Sequence, residues 1–211
     1  LDKTLLPIQL ADRPANSRET ASMLLGKTVV LGVTGSIAAW QTPEIIGRMK
    51  NLMINVRCIM TKSATKFITP LTLQVASQNP VATDMFDGRR GWDIAHIALA
   101  DIANLFLIAP ATANIIAKMA NGIADDLLSS TILATRAPVV IAPAMNPNMY
   151  ANAVTQSNIK KLEEAGFHFV YPEYGPTACG TEGVGRLARI PVIIKKVTGI
   201  LELDDRRRLE R

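Results

Sequence analysis

The chain has 211 residues, 48% hydrophobic, 19% charged and 5% aromatic, with a formal net charge of +5. The length suits one α/β domain with a sizeable core, the scarcity of aromatics argues against a base-stacking nucleic-acid surface, and the clustered Arg206, Arg207, Arg208 and Arg211 read as a basic tail at the end of the chain. Two cysteines, Cys58 and Cys179, make no disulfide framework, and neither a cleavable signal pattern nor a bilayer-length apolar run is present, so a cytoplasmic setting is expected, with no nucleic acid and no membrane as partner.

Residues 1–25 read as an arm: Pro7, Asp12, Arg13 and Pro14 break any long element, while Leu5, Leu6, Ile8 and Leu10 can pack on a neighbour. Residues 27–34 are apolar and β-branched, the pattern of a strand buried on both faces. Gly35-Ser36 ends it, and a helix is expected over 37–52. A second strand spans 56–61, with Cys58 as a buried packing residue. Short helical segments follow at 63–67 and 70–77, then a loop-like stretch, 83–93, with Gly88 and Gly91. Residues 105–109 read as a strand and 113–120 as a helix. Gly122 marks a break, and Asp125 and Asp126 are placed to cap a helix over 127–135. A strand over 139–142, a helix over 153–165 stopped by Gly166, a last strand over 167–171 and a closing helix over 193–203 complete the series.

Strands alternating with helices imply an α/β fold, a parallel sheet covered on both faces. One domain, 26–203, is expected between the arm, 1–25, and a basic tail, 204–211. Ligands of such sheets bind beyond the carboxyl ends of the strands, and three polar loops fall there. They are Pro110-Ala111-Thr112-Ala113-Asn114, Pro143-Ala144-Met145-Asn146-Pro147-Asn148-Met149, and the glycine-rich run Ala178-Cys179-Gly180-Thr181-Glu182-Gly183-Val184-Gly185-Arg186.

The Gly35-Ser36 turn departs from the G-x-G-x-x-G fingerprint, yet a glycine-serine turn opening a helix can hold a phosphate on backbone N–H groups. A ligand-free tight turn accounts for it as well. Thr61 and Ser63 can add hydroxyls to the same phosphate, or Ser63 can cap the next segment. His96 sits among apolar residues, a setting more often structural than catalytic, and His168 reads as structural or exposed. Two histidines and two scattered cysteines give no metal-ligand spacing, and no G-x-S-x-G elbow is present. Met145 and Met149 can belong to the core, but Asn146 between them is awkward there, because a buried amide needs partners. Cys179 stands among glycines with little to pack against. The residues alone point to a nucleotide-like ligand, an acid/base histidine, an amide clamp and a thiol.

Taken together these motifs resemble the flavin-dependent cysteine decarboxylases. The likeness runs from about Gly26 to about Arg189 and rests on Gly35-Ser36-Ile37-Ala38-Ala39, His96-Ile97, the Pro110 to Asn114 segment, Asn121-Gly122-Ile123-Ala124-Asp125-Asp126-Leu127-Leu128, the Pro143 to Met149 segment, and Ala178 through Arg186. It implies a Rossmann-like three-layer flavoprotein fold that assembles as a homotrimer or higher homo-oligomer, with FMN at the subunit interface, which would account for the apolar composition. By the same resemblance Gly35, Ser36, Ile37, Thr61 and Ser63 hold the phosphate and ribityl end of FMN. Thr112, Ala113, Asn114, Ala144 and Met145 line the flavin ring, and His96 is the active-site histidine. Asn146 binds the substrate carboxylate, Met149, Ala178 and Gly180 contribute to the substrate site, and Cys179 belongs to a clamp that closes over it.

The implied reaction is FMN-dependent decarboxylation of 4′-phosphopantothenoylcysteine to 4′-phosphopantetheine in coenzyme A biosynthesis. A carboxylate on an sp3 carbon leaves poorly; oxidation of the cysteine side chain to a thioaldehyde gives the electrons a sink, and re-reduction, with Cys179 as proton donor, closes the cycle. Relatives that act on a peptide C-terminal cysteine stop at the enethiol and generally lack the clamp cysteine, so Cys179 favours the phosphorylated substrate. The alternatives are such a peptide-cysteine oxidative decarboxylase and a non-catalytic FMN-binding regulatory subunit. Relatives also carry a phosphopantothenate-cysteine ligase as a second domain or partner. Trp40, Gln41, Ile115, Tyr150 and Leu187 depart from the residues common in the family, none of them at His96, Asn146 or Cys179.

Overall fold

All six residues of strand β1, Thr28–Val33, are buried. Their side chains alternate between two cores, as the pleat requires. Val29, Leu31 and Val33 face one and Val30 the other. The computed structural model describes residues 24–86, 95–178 and 180–209. Around β1 lie β2 (Asn55–Met60), β3 (Val81–Ala82), β4 (Leu105–Ala111), β5 (Val139–Pro143) and β6 (His168–Phe169), in the order β3-β2-β1-β4-β5-β6. Every pairing in this sheet is parallel, so the chain must cross over between strands, and it does so mostly through helices. The order reverses direction at β1 and β4, which leaves a crevice at their carboxyl ends.

Helices α1 (Thr42–Asn51), α2 (Pro70–Ser77), α3 (Ala95–Ile102), α4 (Ala113–Ala120), α5 (Leu127–Ala134), α6 (Pro147–Ala151), α7 (Ala153–Glu164) and α8 (Ile190–Leu209) surround the sheet. One apolar layer joins Ile45, Ile46 and Met49 of α1 to Ile193, Val197 and Leu201 of α8. The other joins Ile115 and Ile116 of α4, Leu127, Leu128 and Ile132 of α5, and Ile159 and Leu162 of α7. This is the α/β arrangement, a parallel sheet covered on both faces, that the alternation of elements predicts. A separate antiparallel hairpin pairs β7 (Glu173–Pro176) with β8 (Glu182–Arg186).

Several elements differ from the sequence reading. The helix expected over 37–52 is split into a 3-10 turn, Ile37–Gln41, and α1. Pro43 supplies the reason, since it has no N–H to continue the ladder of the preceding turn. The segment at 63–67 is a single 3-10 turn, Ala64–Lys66. Helix α3 was not anticipated: it is short and apolar on several sides, so no period marks it. The last strand contracts to two paired residues, and the closing helix extends to Leu209. Asp126 does cap α5 in a full capping box with Ser129, and Gly166 follows α7 with φ +88°. No helix among the described residues is long and apolar enough to cross a membrane.

Candidate active site

Four loops leave the carboxyl ends of β1, β2, β4 and β5, and a buried threonine ties two of them together. Thr34, directly after β1, donates its hydroxyl to the Pro110 carbonyl at 2.6 Å and accepts from the Thr112 N–H at 3.0 Å. The loop after β1 then turns at Gly35, which lies against the loop after β2. A Cβ on Gly35 would stand 2.5 Å from the Ser63 Cβ, so only glycine permits this approach. Ser36 caps the 3-10 turn through its hydroxyl, which accepts from Ala38 N–H at 3.4 Å. Thr61, rather than Ser63, serves the next turn, accepting from Ala64 N–H at 3.3 Å. The Ser63 side chain makes no capping bond and is exposed beside Gly35.

The β7–β8 hairpin packs onto the loop after β5. Met145 N–H donates to the Gly185 carbonyl at 2.9 Å, and a Cβ on Gly185 would lie 2.3 Å from the Met145 carbonyl oxygen. Asn146 is half-buried, not core, and its Oδ1 caps α6 by accepting from Asn148 N–H at 2.8 Å. The awkward amide is thus fixed by its own helix. Between the β1 turn, the β5 loop and the hairpin lies a cavity of about 510 Å³, within the size range of small-molecule sites. Ser36, Ile37, Ala144, Met145, Asn146 and Ala178 line it.

Other expected site residues fall outside that lining. Thr112 caps α4, accepting from Ile115 N–H at 3.4 Å, with Ala113 and exposed Asn114 in the first turn. They, Thr61 and Ser63 sit at neighbouring strand ends. Met149 is 49% exposed on α6, so it is not core, and it is not among the cavity-lining residues. His96 lies in α3, half-buried, with its Nδ1 buried and without a hydrogen-bond partner. It does not line the cavity that holds Asn146. Cys179 lies outside the described residues. Its neighbours belong to the turn of the hairpin, where Gly180 N–H donates to the Thr177 carbonyl at 3.0 Å with φ +79°.

Sequence reasoning missed part of the wall. Trp40, Gln41, Glu173, Pro176, Thr177, Leu187 and Arg189 also line the cavity. Glu173, Pro176 and Thr177 come from the hairpin, whose strands are too short and glycine-rich to show an alternating pattern. Glu173 accepts from Arg189 Nε at 2.8 Å, and that hydrogen bond holds the Glu173 carboxyl below its ordinary value, with the charges of Arg189 and Arg186 adding to it. Cys58 is a packing residue. Burial pushes its thiol up to about 12, only partly offset by a hydrogen bond with Ser77.

Residues 17–202 match the model of the family described as Flavoprotein. The chain is 45% identical over 164 residues to the coenzyme A biosynthesis bifunctional protein CoaBC of Vibrio vulnificus, an alignment that takes in 78% of this chain. It spans only 41% of that relative's length. Among solved structures it resembles the FMN-dependent cysteine decarboxylase SpaF, with a TM-score of 0.76 and 31% identity over 85% of this chain and 98% of that one. It also resembles a PPC decarboxylase mutant complexed with pantothenoylaminoethenethiol, with a TM-score of 0.75 and 30% identity over 83% and 98%. By sequence along most of its length, and by the path of its backbone, the chain belongs to the Flavoprotein family and, within it, to the FMN-dependent cysteine decarboxylases.

Proposed function

We propose that the chain is an enzyme that decarboxylates 4′-phosphopantothenoylcysteine to 4′-phosphopantetheine, with FMN as cofactor, in coenzyme A biosynthesis. The observation that carries this reading is the cavity that joins the β1 turn to Asn146 and to the hairpin beside Ala178. The residues fit FMN. The glycine approach at Gly35 and the exposed Ser63 hydroxyl leave a polar cradle for a phosphate, and Ala144 and Met145 offer an apolar wall. Gly35, Ser36, Ile37, Thr61 and Ser63 would hold the phosphate and ribityl end, and Thr112, Ala113, Asn114, Ala144 and Met145 the ring.

Bound FMN supplies reversible hydride transfer, which gives the departing carboxylate an electron sink. Asn146, already fixed by its cap to Asn148, orients the substrate carboxylate through its side-chain amide. His96 is the residue that would move a proton at the reacting centre. Cys179, in the clamp, donates the proton that completes the product. Because His96 lies off the cavity of its own chain, the reading includes a homo-oligomer, a trimer in its simplest form, in which one copy's His96 completes its neighbour's site. Exposed Ile37, Trp40, Ile97 and Leu133 offer apolar surface for it. A ligase domain or partner and a cytoplasmic setting belong to the same reading, in keeping with the bifunctional relative.

The test is anaerobic incubation of the purified protein with 4′-phosphopantothenoylcysteine, followed by mass spectrometry and the flavin spectrum. Formation of 4′-phosphopantetheine with the flavin ending oxidised is expected. A protein that takes up FMN and leaves this substrate untouched rejects the reading, and a peptide ending in cysteine is then the next substrate.

A further inference from the structure

The wall of the cavity at and just beyond the end of β8 carries an unassigned pair of cations. Glu173 and Arg186 are direct cross-strand partners in the β7–β8 hairpin, and Arg189 follows three residues on, just before α8. All three line the cavity. Glu173 anchors Arg189 through Nε at 2.8 Å and accepts a second bond, at 3.3 Å, from the Arg189 backbone N–H. Both described bonds to Arg189 thus leave its two terminal nitrogens without a partner among the described residues. A guanidinium held by Nε keeps its planar fork for another oxyanion.

Arg186 lies flat over Gly175. A Cβ there would stand 2.8 Å from Arg186 Nη1 and 3.1 Å from its Cδ, so the missing side chain is what lets the arginine cross the strand. Arg186 makes no ion pair among the described residues, although its charge acts on Glu173. The patch therefore holds two guanidinium groups and one carboxylate. One positive charge remains uncompensated at the cavity wall, which suits an anion with several oxygens better than a neutral hydroxyl.

Resting on the substrate reading above, we propose that Arg189, with Arg186 beside it, is the specificity-determining residue that binds the phosphate of the phosphorylated substrate. Glu173 is the positioning residue that aims it. The reactive cysteine end lies toward Asn146, at the Met145–Gly185 contact, and the phosphate end lies toward Arg189. An extended substrate then runs past the end of β8 from one to the other.

The experiment compares 4′-phosphopantothenoylcysteine with pantothenoylcysteine on the FMN-loaded protein and on its R189M, R189K and R186M variants. The quantity read is the ratio of kcat/KM between the two substrates. Hydrogen bonds to charged groups predict that R189M lowers this ratio about 10- to 100-fold. The loss should lie in KM, and R189K, which keeps the charge without the fork, should recover part of it. R186M should lower the ratio in the same direction. The KM of the phosphorylated substrate should also rise with ionic strength for the unmodified protein and rise less for R189M. Arg189 is 76% exposed at its side chain, so the variants are expected to fold, and FMN content checks this. If R189M leaves the ratio unchanged, or weakens both substrates equally, the phosphate assignment falls and the decarboxylase reading stands. If the unmodified protein acts on neither substrate, both fall together.

Discussion

At the scale of single residues, chemistry and packing separate cleanly. Cys58 is 1% exposed and its thiol is pushed up to about 12, so it should resist thiol reagents in the native protein at pH 8 and react only on unfolding, as mass spectrometry of labelled peptides would reveal. In the sequence the apolar setting of His96 points to a structural residue, and only the family resemblance makes it an active one. In the structure its Nδ1 is buried without a hydrogen-bond partner. A His96→Asn variant is therefore expected to keep FMN and lose turnover by about 100-fold or more; full activity would remove it from the mechanism. At Gly185 the backbone oxygen of Met145 stands where a Cβ would go, at 2.3 Å. Gly185→Ala must push the hairpin off the β5 loop, at a cost of about 1–3 kcal/mol, measurable by denaturant titration. The glycine pattern was visible in the sequence, but the partner it approaches was not.

At the scale of elements, caps and breakers were legible and short pairings were not. Asp126 accepts from Ser129 N–H at 2.8 Å and from Lys118 Nζ at 2.9 Å, while Ser129 Oγ accepts from Asp126 N–H at 3.1 Å. Burial alone would raise the Asp126 carboxyl; these bonds outweigh it and hold the group below its ordinary 3.8. A folded value below the unfolded one gives stability that is present above about pH 4 and lost as pH falls through the folded value. Asp126→Ala should cost about 1 kcal/mol at neutral pH, and the difference from the parent should shrink at low pH in thermal unfolding. An undiminished difference in acid would assign the effect to something other than the carboxylate. Helix α3 and the β7–β8 hairpin escaped the sequence reading because neither carries a period long enough to stand out. Eight nearly all-apolar residues and two strands of four and five residues are stabilised by what they pack against.

At the scale of the whole molecule, the proposed function calls for more than one chain. Asn146 and the hairpin share a cavity, and His96 is not among its lining residues. The exposed apolar residues at Ile37, Trp40, Ile97 and Leu133 are the surface that an assembly would cover. Light scattering should give about three times the monomer mass, or a multiple of it. Mixing His96→Asn with Asn146→Asp protein, each inactive alone, should restore activity as subunits exchange. Mixtures that stay inactive after exchange would mean that each site is built from one chain.

The sequence by itself determined the layered α/β plan, because fully buried parallel strands need unbroken β-branched runs and their crossover helices need caps and stops, all of them local signals. It also located the polar loops, since amides, hydroxyls and glycines at strand ends are costly unless used. Only the tertiary structure decided which of those loops meet. The strand order sets Gly35 beside Ser63, Thr34 beside Pro110, and the hairpin across Asn146, over separations that no local pattern encodes. Glu173 and Arg189, sixteen residues apart, became one charged wall of the cavity for the same reason: chain reversal at the hairpin puts them within 2.8 Å.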